Sequence, residues 1–150
     1  MTAVSLDLSQ LHDAAAGRLR AAEQLYTSGR RQLIELLVSM GRPATIPDLL
    51  GAQPKLTQSS LYRNLALLEE VGVLQKVIST DDRARYELAE DLIGHHHHMI
   101  CVGCGRVDDF VVSKQVEHNL ESVLATAIGA SGFRVAGHRL DLVGLCATCP

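Results

Sequence analysis

The sequence predicts an α+β fold: an N-terminal winged helix-turn-helix domain followed by a small α/β domain with a four-cysteine zinc site. Three observations predict it. Leucine-rich stretches at helical spacing follow one another as far as residue 71. A β-rich segment folded about Ser79-Thr80-Asp81-Asp82 comes next. All four cysteines then fall in the last third, as two C-x-x-C pairs.

Residues 9–23 are Ala-rich, with Leu11, Ala15 and Leu19 at helical spacing, which predicts a first helix. Thr27-Ser28-Gly29 breaks the chain. Leu33, Ile34, Leu36, Leu37 and Met40 repeat with the period of a buried amphipathic helix, which Gly41-Arg42-Pro43 ends. Thr45 is placed to cap a short helix with Pro47 in its first turn and Gly51 near its end. After the break at Pro54-Lys55, Thr57 or Ser59 caps another helix. Its Leu61, Leu65, Leu68 and Val71 form one apolar stripe, and Gly72 stops it. Residues 73–78 and 84–88 read as two strands joined by turn chemistry. Three helices followed by a hairpin is winged-helix order, and the helix over 57–71 takes the recognition position.

After residues 89–94 the character changes. Residues 95–107 read as a strand turned by the knuckle Cys101-Val102-Gly103-Cys104-Gly105. Residues 116–128 predict an amphipathic helix, with Val116, Leu120, Val123, Leu124 and Ala127 on one face and Gly129 and Gly132 ending it. Residues 133–143 read as a final strand leading to Cys146 and Cys149. The expected organisation is therefore a winged-helix domain over 1–88, a hinge over 89–94 and a metal-binding domain over 95–150.

A hydrophobic fraction of 47% in 150 residues argues for packed cores. No apolar run approaches the roughly 20 residues that span a bilayer. Met1 to Gln10 has no basic flank followed by an apolar stretch, so no secretory signal is read there and a cytoplasmic chain is expected. The net charge of −3 is unevenly placed. Residues 1–88 carry 10 basic and 10 acidic side chains, and residues 89–150 carry 4 and 7. DNA contact thus depends on local arginines, because no global field supplies it.

Paired C-x-x-C motifs suit metal binding, since Zn²⁺ prefers tetrahedral thiolate ligation. The 41 residues between the pairs leave room for a helix and a strand, so that a metal at Cys101, Cys104, Cys146 and Cys149 clips the end of the chain back onto the knuckle. Two separate redox dithiols are the competing reading. The run His95-His96-His97-His98 leads directly into the first cysteine pair. On a strand, alternate side chains point to opposite faces, which sorts His96 with His98 and His95 with His97. Glu87, Asp108, Asp109, Glu117 and Glu121 are candidate carboxylates to complete such sites, and His138 can reach back to the same region. His12 and His118 are expected at the surface.

The polar residues of the recognition helix, Gln58, Ser59, Ser60, Tyr62, Arg63 and Asn64, gather in its N-terminal half, the end that meets base edges. Tyr62 can contact thymine methyl groups and Arg63 can reach phosphate or guanine. Arg30 and Arg31 open the preceding long helix as phosphate contacts. A metal-dependent hydrolase or thiol oxidoreductase is the alternative from another class. It needs an open coordination position and a positioned acid or base, and the sequence offers no H-E-x-x-H, phosphate loop or paired nucleophile and base. A storage or purely structural zinc module makes no use of a wing and recognition helix.

Three segments carry a resemblance to a known family: Ser60-Leu-Tyr-Arg-Asn-Leu with Leu68-Glu-Glu-Val-Gly-Val, the block from His95 to Phe110, and the segment from His138 to Cys149. Together they resemble the ferric uptake regulator family, over about residues 27–149. The resemblance implies a winged-helix domain joined to an α/β dimerisation domain. It also implies a homodimeric regulator, usually a repressor, that binds A·T-rich operators when metal-loaded. It makes Cys101, Cys104, Cys146 and Cys149 the structural zinc ligands. It makes His95, His97, Glu117 and His138 a site within the dimerisation domain, and Glu87, His96, His98 and Asp109 the regulatory hinge site. The second metal is then Zn²⁺ or Fe²⁺, with Mn²⁺ as a further choice. The sequence departs from the family pattern where Arg42-Pro43-Ala44 offers no histidine and where Leu25 and Tyr26 stand in place of a basic residue. Gln75 and Ala89 argue against the zinc-uptake branch, and Asp109 is the choice of the peroxide-sensing branch.

Overall fold

The structure, a computed structural model, describes residues 6–150. The first five residues of the expected N-terminal domain, and of the stretch read above for a secretory signal, lie outside the described residues. Helices α1 (Leu8–Ala21), α2 (Ser28–Met40), α3 (Ile46–Ala52) and α4 (Gln58–Glu70) come first. Each starts where a side-chain oxygen accepts from amides that the helix itself leaves unpaired: Asp7, Thr27, Thr45 and Thr57 in turn. Thr57 rather than Ser59 is the cap of α4, and Thr27, read as part of a break, is the cap of α2. At α3 the capping is reciprocal, Thr45 accepting from the Asp48 amide and Asp48 from the Thr45 amide. Thr45→Ala should therefore cost about 1 kcal/mol of stability. A urea midpoint that falls at constant slope checks it.

The apolar stripes converge on one core. Leu61, Leu65 and Leu68 of α4 are all buried, packed with Leu33 and Ile34 of α2 and Leu11 and Leu19 of α1. The hairpin β1 (Leu74–Ile78) and β2 (Ala84–Leu88) closes that core with Leu74, Tyr86 and Leu88. An isolated bridge between Ala44 and Tyr86 ties it to the start of α3. Strand β2 is buried on both faces. Tyr86 and Leu88 join the helical core, while Arg85 and Glu87 alternate to the other side and are 3% and 4% exposed.

What covers that other side is the second lobe: α5 (Glu90–Ile93), β3 (His97–Cys101), β4 (Val107–Phe110), α6 (Lys114–Ile128), a 3₁₀ turn (Gly129–Ser131) and β5 (Asp141–Gly144). Its sheet has the order β4-β3-β5, antiparallel on one side of β3 and parallel on the other. Two expectations change here. The stretch 95–107 is not one turned strand, because the knuckle separates β3 from β4. The strand expected over 133–143 shortens to Asp141–Gly144, the residues that form the ladder with β3, because a strand without a neighbour has no ladder. The expected hinge holds the single turn α5, tied to α1 by an ion pair of Arg18 and Asp91 at 2.5 Å. No helix among the described residues is long and apolar enough to cross a membrane.

Candidate metal centres and nucleic-acid face

Four thiols meet at one point. Cys101 ends β3, Cys104 closes the knuckle, and Cys146 and Cys149 follow β5, which runs parallel to β3 and so delivers the end of the chain beside them. Their sulfurs all lie within 4.8 Å of one another, and Cys104 Sγ is 3.8 Å from Cys146 Sγ. A tetrahedron with Zn–S bonds of about 2.3 Å has edges of about 3.8 Å, so the donor set fits that ion. The backbone is shaped for it as well. The Cys146 amide donates to Cys101 Sγ at 3.3 Å. Amides of Cys146, Cys104 and Gly103 bring the Cys101 thiol down to about 6. Hydrogen bonding to Cys146, Cys101 and Cys104 pushes Cys149 up to about 12. Four sulfurs this close hold full negative charge only around a cation.

The histidine run divides as the alternation predicts. Glu87 of β2 accepts from Gln75 Nε2 of β1 at 2.6 Å, from His96 Nε2 at 3.2 Å and from His98 Nε2 at 3.1 Å. Burial alone would raise its carboxyl, but these donors hold it at about 2. In return the Glu87 carboxylate pushes His96 up to about 9. Asp109 completes the cluster from β4, paired with His98 in the sheet register. Burial, together with the Glu87 charge, lifts Asp109 to about 6. Its buried Oδ1 has no hydrogen-bond partner among the described residues and lies 3.7 Å from His98 Nε2. A buried acceptor aimed at a histidine and a carboxylate has the environment of a cation site. The His96 Nδ1 lies 3.0 Å from the Gly94 carbonyl, which accepts its proton and leaves Nε2 facing the cluster.

On the other side His95, His97, Glu117 and His138 form the third group. Ser113 caps α6 and so places Glu117 in its first turn. Glu117 Oε1 is 2.5 Å from His97 Nε2, and its Oε2 is 3.2 Å from His138 Nε2. The ring nitrogens of His95 and His138 face each other at 3.3 Å. Glu117 Oε2 and His97 Nδ1 are buried without hydrogen bonds among the described residues. Burial alone would raise the Glu117 carboxyl, yet the His97 hydrogen bond and the surrounding histidines bring it below its usual value.

The other candidate carboxylates are placed elsewhere. Asp108 is taken up by Arg106 at 2.7 Å, and Glu121 stands exposed on α6. Three residues that sequence reasoning did not assign to these sites take part. Gln75 donates to Glu87, Glu90 hydrogen-bonds His95, and Asp141 lies 3.5 Å from His98 Nδ1. Asp141 follows from the β3–β5 register, which sets it opposite His98.

Away from these clusters, Gln58, Ser59, Tyr62 and Arg63 are exposed along the first turns of α4, and Ser60 is partly so. Arg30 is half-committed, its Nε donating to Asn64 Oδ1 at 3.2 Å and its Nη1 to the Leu25 carbonyl. Arg31 stacks over Tyr26, 5.3 Å from the ring centre. His12 is not at the surface. It is 6% exposed and bridges the Tyr26 hydroxyl and, at 3.1 Å, Glu35. His118 is exposed as expected.

The profile of the ferric uptake regulator family matches residues 22–143. The chain is 28% identical over 127 residues to the peroxide operon regulator of Bacillus subtilis, covering 82% of each. It is 34% identical over 104 residues to the ferric uptake regulation protein of Synechococcus elongatus, covering 67% of this chain and 65% of that one. In fold it is similar to the Helicobacter pylori ferric uptake regulator, with a TM-score of 0.74 at 19% identity over 99% of this chain and 97% of that one.

Proposed function

Because the chain belongs to the ferric uptake regulator family, and is thus a metal-responsive DNA-binding transcription regulator and not an enzyme, we propose that it is a homodimeric cytoplasmic repressor whose hinge metal sets the orientation of the winged helix. One observation carries this reading. Glu87 belongs to the wing, while His96, His98 and Asp109 belong to the second lobe, and the four converge. A divalent cation held there supplies the positive charge that ties the two lobes together at that point. The domain division 1–88, 89–94 and 95–150 puts this cluster across the hinge, with α5 as its pivot.

Zn²⁺ suits the four thiolates, and Zn²⁺, Fe²⁺ or Mn²⁺ suits the mixed histidine and carboxylate groups. Similarity to a peroxide operon regulator and to a ferric uptake regulation protein points to genes of metal homeostasis or oxidative stress as the targets. Gln58, Ser59, Ser60, Tyr62 and Arg63 read the major groove of the operator, with Arg30 and Arg31 on the phosphates. The test is operator affinity at fixed salt, with hinge metal removed and then titrated back. Affinity should rise with metal, and identical values in both states would end the proposal.

The dimer rests on apolar surface that one chain leaves open. No residue of α6 is buried, and Val123 and Leu124 are 65% and 40% exposed. Phe133, Val135, Leu142 and Val143 lie exposed in the segment that follows. A patch of this kind marks an interface. Val123→Glu with Leu124→Glu should give a monomer by sedimentation and weaken operator binding at least about tenfold, because two recognition helices are needed for paired half-sites.

A further inference from the structure

We infer that the tip of the wing is latched directly onto the cysteine knuckle, and that Ser79 and Arg85 are positioning residues that hold the two lobes in register without an ion at the Glu87 cluster. The inference deepens the DNA-binding reading above and rests on it, since the element so held is the wing of the reader.

The contacts run in one direction along the hairpin. Leu74 belongs to the helical core, but Val77, three residues on, leaves it and packs with Ile100 of β3 and Val107 of β4. Next, Ser79 is buried and its hydroxyl donates to the Gly105 carbonyl at 2.8 Å. Thr80 Oγ1 donates to the Cys101 carbonyl at 3.4 Å. On the returning strand Arg85 donates through both terminal nitrogens to Asp81, at 2.7 and 2.8 Å. This fork lies against Gly105. A Cβ at Gly105 would collide with Asp81 Oδ2, and would stand 2.6 Å from Asp81 Cγ and 3.0 Å from Arg85 Nη2. Gly105 also has φ +74°, so the knuckle needs glycine there for its own turn and again as the seat of the wing.

The placement of Arg85 shows that this is more than a local turn. Its side chain is 4% exposed while Asp81 remains 28% exposed. Gly105 and Cys104 of the knuckle stand close to Arg85, with Asp48 of α3 on the helical side, so its guanidinium sits in the seam between the lobes. A buried ion pair adds little net stability over an apolar contact, but its fixed fork favours one arrangement over others. The hairpin is thus attached to the second lobe at two ends, through Glu87 near the hinge and through 77–85 near the four cysteines. One attachment allows a pivot; two define an orientation. Of the four candidate ligands in the hinge cluster only Glu87 comes from the winged domain, which leaves the latch a larger share of the coupling.

The experiment uses full-length, zinc-replete protein carrying Ser79→Ala with Arg85→Ala. Both changes lie on the wing and leave the cysteines and the knuckle untouched. Amide hydrogen exchange is measured by segment with hinge metal removed, alongside zinc content. The expected result is one zinc retained and exchange about tenfold faster in 74–88 and 97–107 only, within the ordinary range of coupling between sites. Exchange unchanged in those segments, or raised equally across α1 to α4, overturns the latch. Val77→Ser, which weakens the same seam without touching a charge, should raise exchange in the same two segments. A rise elsewhere for that variant also overturns it. Neither operator nor hinge metal enters this readout, so the latch can fail while the regulator reading stands, and the reverse.

Discussion

Serine at Cys101 will unfold the C-terminal lobe and leave the helical core folded. The reason lies in how little apolar burial that lobe has of its own. Its buried hydrophobic cluster consists of Ile100 and Val107 with Val77 borrowed from the wing, and α6 buries nothing within one chain. A lobe this thin needs another source of order. Structural zinc in small domains contributes on the order of 10–16 kcal/mol of apparent binding free energy at neutral pH, which becomes folding free energy when the site exists only in the folded state. Cys101 is the buried member of the four and the acceptor of the Cys146 amide, so its loss breaks both the ligand set and the turn that closes it. Elemental analysis should find zinc far below one per chain. Limited proteolysis should digest 95–150 and spare a fragment near 8–88. A variant that keeps equimolar zinc and a protease-resistant lobe would show that the sulfurs are not the organising centre.

Much of the fold is legible in the sequence because local chemistry and long-range packing agree in the N-terminal half. The stripe Leu61, Leu65 and Leu68 is both a helical period and a core face, and Thr45 and Thr57 cap where they are read to cap. The sorting of four consecutive histidines into two sites is legible for a similar reason. His97 and His98, in β3, face opposite sides by backbone geometry, and His95 and His96, just before the strand, fall in with them. What is not legible depends on register or on distant neighbours. Gln75 enters the Glu87 cluster because β1 and β2 pair it directly opposite Glu87. Asp141 enters because parallel pairing sets it beside His98. His12 reads as a surface residue since its partners Tyr26 and Glu35 lie on the next helix and its approach, where no spacing rule reaches. The over-long final strand has the same origin. Phe133 and Val135 alternate as strand residues do, yet among the described residues no strand pairs with them to complete a ladder.

Glutamine at Glu87 will remove the metal-dependent gain in operator affinity while leaving the metal-free affinity within about threefold of the parent, since an exposed recognition helix and its arginines are untouched. The substitution preserves volume and keeps one acceptor, so the packing of β2 against both lobes is retained. What it removes is charge. Glu87 is 4% exposed, and His96, His98 and Gln75 donate to it and hold its carboxyl well below its usual range despite burial. Its carboxylate is the one negative group that the winged domain contributes to a site otherwise built from the second lobe. A neutral amide cannot offset the charge of a divalent cation in so buried a place, and hinge affinity should fall by about 100-fold or more, beyond what supporting residues around a metal usually cost. The switch is sensitive to this loss. Turning a 1:99 population into 99:1 takes about 5.5 kcal/mol of preference for one state, so even a residual ion that no longer distinguishes the two arrangements shifts nothing. Zinc at the cysteines and the dimer should both survive, which separates this result from simple unfolding. Operator binding titrated with Fe²⁺, Mn²⁺ and Zn²⁺ in turn decides the matter. A variant that still gains affinity with any of them, at metal levels that suffice for the parent, would mean that the lobes are coupled through His96, His98 and Asp109 without the wing's carboxylate.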